Sequence, residues 1–248
     1  MATNRDVLDA LSAEGDQMES FLGSLSDQDW DRPSSCEGWT VSDVVLHLAQ
    51  TEEAVVAAVT GGTFEVPAGV AGNNVDEIMD GWVAAQRGAP GAEVFERWVT
   101  ARRAALEVLR TADPGRPVGW AAAPLKPPTL ATTRLSEHWI HAQDIAEPLE
   151  AQYPDSERLW HVARLAHRTV PYSYAREGRD DPPSVRLELT SPGGESWTFG
   201  EPGGDVTVRG SASEFCRVAA RRLSPDQTTL EAEGERAGEL LALVRTYA

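Results

Sequence analysis

Apolar residues recur at three- and four-residue steps through most of the first 150 positions, which is the spacing of amphipathic helices. One such segment runs from Val7 to Leu25, and a second begins at Thr40, where TVSD resembles a capping box. The segment NVDEIMDGWVAAQRG then leads into a third, AEVFERWVTARRAALEVLRTA. A fourth follows Pro128, a residue suited to the first turn of a helix. Four long helices joined by loops predict a helical bundle.

Beyond about Pro148 the pattern changes. A further helix is predicted for SERLWHVARLAHRTVPYSYAR, and SVRLELTSPGGESWTFGE alternates around Pro-Gly-Gly as a hairpin does. Two short strands (DVTVRG and TTLEAEG) and two helices (SASEFCRVAARRL and ERAGELLALVRTYA) complete the chain. We therefore predict an α+β protein of two domains: a four-helix bundle over residues 1–150 and a small α+β domain over residues 151–248.

The composition is that of a soluble globular protein with an excess of acid. The 248 residues are 41% hydrophobic, and 22 basic against 39 acidic side chains give a net charge of −17. This charge opposes binding to nucleic acid or to anionic membranes. We found no secretory signal and no apolar run of about 18 residues, so we predict a cytoplasmic protein without a membrane partner. Cys36 and Cys216 make no disulfide framework and are expected to be small core residues.

Protonatable side chains form a stripe along the predicted fourth helix, in RLSEHWIHAQDIAEPLE. At about 100° per residue, His141 lies roughly 40° from Glu137, and Asp144 and Arg134 lie within about 60° of it. On the second helix His47 shares a face with small and apolar residues, so it is expected to point inward. Two imidazoles and a carboxylate suit Zn²⁺ or another first-row divalent ion and leave positions open. A solvated face with ion pairs remains the alternative from the residues alone.

The other histidines do not extend this set. His138 lies beside the stripe and could orient a ligand or contact a substrate, although packing is the simpler interpretation. His161 and His167 diverge by about 120° on a helix, so they cannot share a ligand point on it. We expect both to be structural or exposed.

The segments CEGWTVSDVVLHLAQTEE and RLSEHWIHAQDIAEPL together resemble the signature segments of the DinB-like, mycothiol-dependent maleylpyruvate isomerase superfamily. The resemblance spans the chain and implies a DinB-like four-helix bundle followed by a small α/β sterol-carrier-like domain. It implies that His47, Glu137 and His141 bind a divalent metal, with zinc as the first candidate. It also implies a low-molecular-weight thiol, mycothiol, as cosubstrate and a small-molecule substrate. Whether the protein is a monomer or a homodimer is left open.

The resemblance further implies a catalytic arginine in the C-terminal domain. Aligning VRGSASEFCRVAARR by its glycine places Arg222 at that position, with Arg221 beside it, although the usual Trp and Gly near the helix end are absent. The implied function is an isomerase or thiol S-transferase acting on a small electrophilic or unsaturated metabolite with a carboxylate. Two alternatives remain: a thiol-independent metalloenzyme (a lyase or cyclase) of secondary metabolism, and a non-catalytic protein that binds metal or a small molecule.

Overall fold

The computed structural model of the chain describes residues 6–62, 70–72, 74–120 and 123–246. These residues form two compact units, one ending at Tyr153 and the other beginning at Pro154. The first unit is helical and the second combines helices with a sheet, so the predicted α+β fold class is confirmed. Within the described ranges, no helix is both long enough and apolar enough to cross a bilayer. The predicted domain limits, as limits of independently folding units, stay a prediction.

The N-terminal unit contains the four predicted long helices and one shorter helix. They are α1 (Val7–Leu22), α2 (Val41–Val59), α3 (Val75–Gln86), α4 (Gly91–Thr111) and α5 (Pro127–Ala146). The capping box predicted at Thr40 is present, since its hydroxyl accepts from the Asp43 amide and the Asp43 carboxylate accepts from the Thr40 amide. Pro127 and Pro128 occupy the first turn of α5, where a missing amide hydrogen costs nothing. The short α3 is a separate helix rather than a lead-in to α4.

Helix α5 is buried on nearly all sides, although many of its side chains are polar. In the bundle, α2 packs mainly against α4, and α1 packs mainly against α5. Leu130, Leu135 and Ile145 of α5 are fully buried in the apolar core. A helix that buries its polar stripe must give each polar group a partner, because an unpaired buried charge is very costly.

The C-terminal unit is a four-stranded sheet with four helices among its described residues. The elements are α6 (Leu159–Arg168), α7 (Val170–Arg176), β1 (Val185–Thr190), β2 (Ser196–Phe199), β3 (Val206–Ser211), α8 (Ala212–Ala219), β4 (Glu231–Glu233) and α9 (Ala237–Leu243). The strand order is β2-β1-β3-β4. The predicted hairpin is confirmed: β1 pairs antiparallel with β2, with Leu187 opposite Phe199.

Two features of this unit differ from the sequence prediction. The segment predicted as one helix is divided into α6 and α7, because Pro171 has no amide hydrogen to continue the first helix. The central strands β1 and β3 run parallel, with Leu187 opposite Val208. Alternating burial along β1 turns Val185, Leu187 and Leu189 toward an apolar core.

Candidate metal centre

The structure brings together the three side chains that the sequence analysis selected as ligands. Glu137 Oε2 lies 3.6 Å from His47 Nε2 and 3.5 Å from His141 Nε2. The three ligand atoms all lie within 4.8 Å of one another. His47 comes from α2, whereas Glu137 and His141 are one helical turn apart on α5. Their convergence on one point depends on the packing of these two helices.

The donor set fits a divalent ion. Zinc binds imidazole nitrogen and carboxylate oxygen at about 2.0–2.2 Å, so tetrahedral ligand atoms lie about 3.3–3.6 Å apart. The two measured nitrogen–oxygen distances, 3.6 and 3.5 Å, fall within or at the edge of this range. Three protein ligands would leave a fourth position for water or a small molecule, the arrangement of catalytic rather than structural zinc sites.

In the metal-free site, the charges of these side chains are coupled. Burial by itself lowers the pKa of His141, but Asp144, Cys36 and Glu137 outweigh it and hold that pKa well above its ordinary value. Burial by itself raises the pKa of Glu137, but His141 and His47 hold it well below its ordinary value. Burial lowers the pKa of His47. The directions of these pKa shifts favour a charged His141, an ionised Glu137 and a neutral His47 when no ion is bound.

The two imidazoles are held in different ways. His141 Nδ1 lies 2.9 Å from Asp144 Oδ2, a carboxylate–histidine contact of the kind that orients metal ligands. The Nδ1 atom of His47 is buried and has no hydrogen-bond partner among the described residues. The His47 ring instead packs against Trp39, with ring centroids 5.2 Å apart. Its orientation therefore depends on packing and on the position of its helix.

Cys36 lies beside the candidate metal ligands, a position that the sequence did not predict. It was expected to be a small core residue, but it is only half-buried, and its Sγ lies 3.2 Å from Asp144 Oδ2 and 3.8 Å from His141 Nδ1. The Ser35 amide donates to the Asp144 carbonyl at 2.9 Å, which fixes this loop against the end of α5. Cys36 precedes α2 and is 105 residues from His141, so no local spacing could reveal the contact. Cys216 is buried, as expected.

A second group of buried polar side chains lies one turn away from the three ligands. Arg134 Nε donates to Glu52 Oε1 at 2.9 Å, and Arg134 Nη2 donates to Thr51 Oγ1 at 2.7 Å. The Thr51 hydroxyl donates in turn to the His47 carbonyl at 2.9 Å. His138 Nε2 lies 3.0 Å from Glu52 Oε1. Glu52 was not singled out in the sequence.

The remaining histidines have structural positions. His138 is buried, and its ring meets Trp98 edge to face with centroids 5.6 Å apart. His161 is buried in the C-terminal unit. His167 Nε2 lies 2.9 Å from the Val185 carbonyl oxygen and ties α6 to β1.

Arg221 and Arg222 lie in the C-terminal unit, just after α8, and both are exposed. The Arg222 amide donates to the Arg217 carbonyl at 2.9 Å and the Arg221 amide to the Val218 carbonyl at 3.0 Å, which is a Schellman motif. Arg221 has φ 62°, the left-handed conformation that glycine usually takes at this position. Arg222 Nη1 donates to the Ala220 carbonyl at 3.1 Å. The catalytic role of either arginine stays a prediction.

A helical bundle with two imidazoles and a carboxylate facing one point, followed by an α/β unit, defines a class of two-unit protein with a candidate metal centre. Residues 11–146 match the sequence model of the mycothiol maleylpyruvate isomerase N-terminal domain. Residues 160–238 match the model of the C-terminal domain of the same family. The chain therefore belongs to the mycothiol maleylpyruvate isomerase family, as the resemblance of its two signature segments implied.

Similar proteins span nearly the whole chain. Two uncharacterised proteins of Mycobacterium tuberculosis, from two strains, are each 30% identical over 241 residues, or 96% of this chain and 93% of the relative. Two crystal structures of mycothiol-dependent maleylpyruvate isomerase, one of them of a mutant, superpose with a TM-score of 0.65. Each is 19% identical, with 91% of both chains covered, and this similarity establishes the fold.

Proposed function

We propose that this protein is a metal-dependent enzyme that uses mycothiol as cosubstrate. Its substrate in this proposal is a small electrophilic or unsaturated metabolite that carries a carboxylate, and its reaction is isomerisation or thiol transfer. The observation that carries the proposal is the convergence of His47, Glu137 and His141 on one point. Membership of the family supports the thiol. We also propose that the protein is cytoplasmic. Both cysteines are free, which is consistent with a reducing compartment.

In this proposal His47, Glu137 and His141 hold the divalent ion, with zinc as the first candidate. When bound, the ion supplies Lewis-acid stabilisation of negative charge on a thiolate or on a carbonyl oxygen. In this proposal Asp144 accepts the Nδ1 proton of His141 at 2.9 Å, which leaves Nε2 as the atom that binds the ion. Both imidazole rings are buried, so they have little contact with bulk water.

The thiol chemistry of an isomerisation is self-contained. The thiolate adds to one carbon of an activated double bond, the resulting single bond rotates, and the same thiolate leaves. No oxidant or reductant is needed. In a thiol transfer the adduct takes up a proton at the other carbon and is retained, or a leaving group departs with the electron pair of the bond that breaks. We propose that Arg222, or its neighbour Arg221, binds the substrate carboxylate, because arginine offers two parallel donors to a carboxylate.

Thiol dependence tests the proposal directly. The zinc-loaded protein is mixed with maleylpyruvate and with a panel of other unsaturated carboxylates, with and without mycothiol, and the products are resolved by chromatography. We expect conversion only when metal and thiol are both present. Conversion without any thiol would instead support a lyase or cyclase. Tight metal binding with no conversion of any unsaturated acid or electrophile would support a binding protein.

A further inference from the structure

The two imidazoles of the metal centre differ in what fixes them. His141 has Asp144 at 2.9 Å from its Nδ1 atom. His47 has no such acceptor among the described residues, so its Nε2 position depends on where α2 lies relative to α5. A displacement of a ligand by about 1 Å weakens a site markedly, and ligands therefore need supporting contacts. Some other feature must hold His47 opposite Glu137.

A bridge between the two helices begins one turn from these ligands. Arg134 of α5 reaches α2 with both Nε and Nη2, which donate to Glu52 at 2.9 Å and to Thr51 at 2.7 Å. The Thr51 hydroxyl also donates to the His47 carbonyl at 2.9 Å, so the bridge ends on the backbone of a ligand. On α5, Arg134 precedes Glu137 by three residues, on the same side of the helix.

Stability alone is a weak reason for this bridge. The side chains of Arg134 and Glu52 are 3% and 1% exposed, so both charges have been removed from water. Desolvation of such a pair consumes most of its Coulombic attraction, and apolar residues of similar volume are often equally or more stabilising. A planar guanidinium with two directed hydrogen bonds does fix geometry, which an apolar contact does less well.

We propose that Glu52, Arg134 and Thr51 form a positioning bridge that sets the spacing between His47 on α2 and Glu137 on α5. The bridge acts through the helices and touches no metal ion itself. This inference rests on the proposed metal site and adds the residues that preorganise it. The bridge is expected to contribute to the metal affinity of the protein and to contribute little to its stability.

The sharpest test replaces the ion pair by an apolar pair, in the double variant Glu52→Leu/Arg134→Met. We expect a folded protein with a thermal midpoint no lower than that of the wild type. We expect its zinc affinity, measured by competition with a chromophoric chelator, to fall by roughly 10- to 100-fold, as for other residues that support metal ligands. An affinity within twofold of wild type in the folded double variant would overturn the proposal.

Thr51→Val provides a second test that keeps the ion pair. Valine has the shape of threonine but lacks the hydroxyl that joins Arg134 to the His47 carbonyl. Thr60→Val is its control, since the hydroxyl of Thr60, the residue that caps the C-terminus of α2, makes the same kind of contact, to the Val56 carbonyl at 2.8 Å. We expect Thr51→Val to bind zinc several-fold more weakly than Thr60→Val. Equal affinities would contradict the bridge even if the double variant fails to fold.

A second ion pair on α2 controls for the loss of charge. Arg97 of α4 binds Glu53 through two hydrogen bonds of 2.7 and 2.8 Å, and this pair is partly exposed. The double variant Glu53→Leu/Arg97→Met should keep wild-type zinc affinity. Failure of the inference and failure of the proposed function give different results. If the wild type binds no zinc, both are wrong, whereas unchanged affinity in both double variants refutes only the bridge.

Discussion

The interiors of the two units differ in the charge that they contain. Among the described residues, the acidic, basic and histidine side chains buried in the N-terminal unit are Glu14, Asp43, His47, Glu52, Arg102, Arg134, His138, His141 and Asp144. In the C-terminal unit they are His161 and Arg245. The interior of the C-terminal unit is thus mainly apolar. The bundle, in contrast, buries several charged side chains, and this burial costs free energy unless each charge is paired.

The buried charges are concentrated on the helices that carry the candidate metal ligands. All but Glu14 and Arg102 lie on α2 or α5, the two helices that supply the candidate ligands. Glu14 of α1 accepts a hydrogen bond from the Tyr153 hydroxyl at 2.7 Å, and neither residue belongs to α2 or α5. A bundle needs no such cluster for stability, since apolar contacts suffice. The contrast therefore assigns the candidate chemistry to the α2–α5 pair, and the following predictions test this assignment.

The largest expected effect is the loss of metal in the double variant His47→Ala/His141→Ala. Removal of two of three ligands should abolish stoichiometric binding, because a single carboxylate cannot hold zinc at neutral pH. Elemental analysis after gel filtration measures the effect. The matched control is His161→Ala/His167→Ala in the C-terminal unit, which should retain its metal. Full metal occupancy in His47→Ala/His141→Ala would contradict the assignment of the metal site to the N-terminal unit.

The next effect concerns the substrate rather than the metal. Arg222→Lys should lower turnover of a carboxylate substrate on the order of hundredfold if substrate binding desolvates Arg222, because a desolvated Arg–carboxylate contact contributes a few kcal/mol. Metal content and thermal midpoint should not change. Arg221→Lys is the comparison variant and should have the smaller effect. If both arginines form only surface ion pairs, neither substitution alters the rate much, and the C-terminal unit then has no part in carboxylate binding.

Proton release is a third expectation. Aspartate, cysteine and glutamate neighbours hold the pKa of His141 well above its ordinary value of 6.5, so at pH 7 the metal-free protein carries a proton that an incoming ion must displace. Zinc affinity should therefore rise about tenfold per pH unit until the raised pKa is passed. Calorimetry in buffers of different ionisation enthalpy should give about one proton per zinc from this histidine.

The same raised pKa has a consequence for the stability of the metal-free protein. A histidine that binds its proton more tightly when folded stabilises the fold fully below its unfolded pKa, and this contribution is lost as pH rises through the folded pKa. Asp144→Asn removes the partner at 2.9 Å and should reduce both the pH dependence and the proton release. Identical proton release in wild type and Asp144→Asn would be evidence against the coupling of these two side chains.

The smallest expected effect lies in the C-terminal unit. Arg221 has φ 62° at the end of α8, where glycine would be unstrained. Arg221→Gly should therefore raise the free energy of unfolding of this unit by about 0.5–1 kcal/mol, after allowance for glycine's greater freedom when unfolded. Urea denaturation monitored by far-UV circular dichroism measures it, with Arg222→Gly as control. A lower stability would mean that the contact from the Arg221 side chain to the Ala242 carbonyl outweighs the strain.

Much of the candidate site could be predicted because its signals are local. The four-residue step from Glu137 to His141 places both side chains on one face of any helix, and the apolar neighbours of His47 indicate an inward position. The contacts of Cys36 and Glu52 could not be predicted, because they depend on how a loop and α2 pack against α5. Sequence spacing specifies a helix face, and tertiary packing specifies what that face meets.

The fold shows the same division. Alternation identified the strands, and Pro-Gly-Gly identified the hairpin of β1 and β2. The parallel pairing of β1 with β3 was not predicted, since alternation indicates a strand and does not identify its partner. The break at Pro171 was missed although proline marks it, because the apolar period continues on both sides.

The ligand shell of the zinc-loaded, thiol-free protein tests the central claim most directly. X-ray absorption spectroscopy distinguishes nitrogen and oxygen ligands from sulfur. Coordination by His47, Glu137 and His141 predicts two imidazole nitrogens and one carboxylate oxygen at about 2.0–2.2 Å, without sulfur. The His47→Ala variant should lose one imidazole from this shell. A sulfur ligand at about 2.3 Å, which would indicate Cys36, or a shell unchanged by His47→Ala would contradict the account.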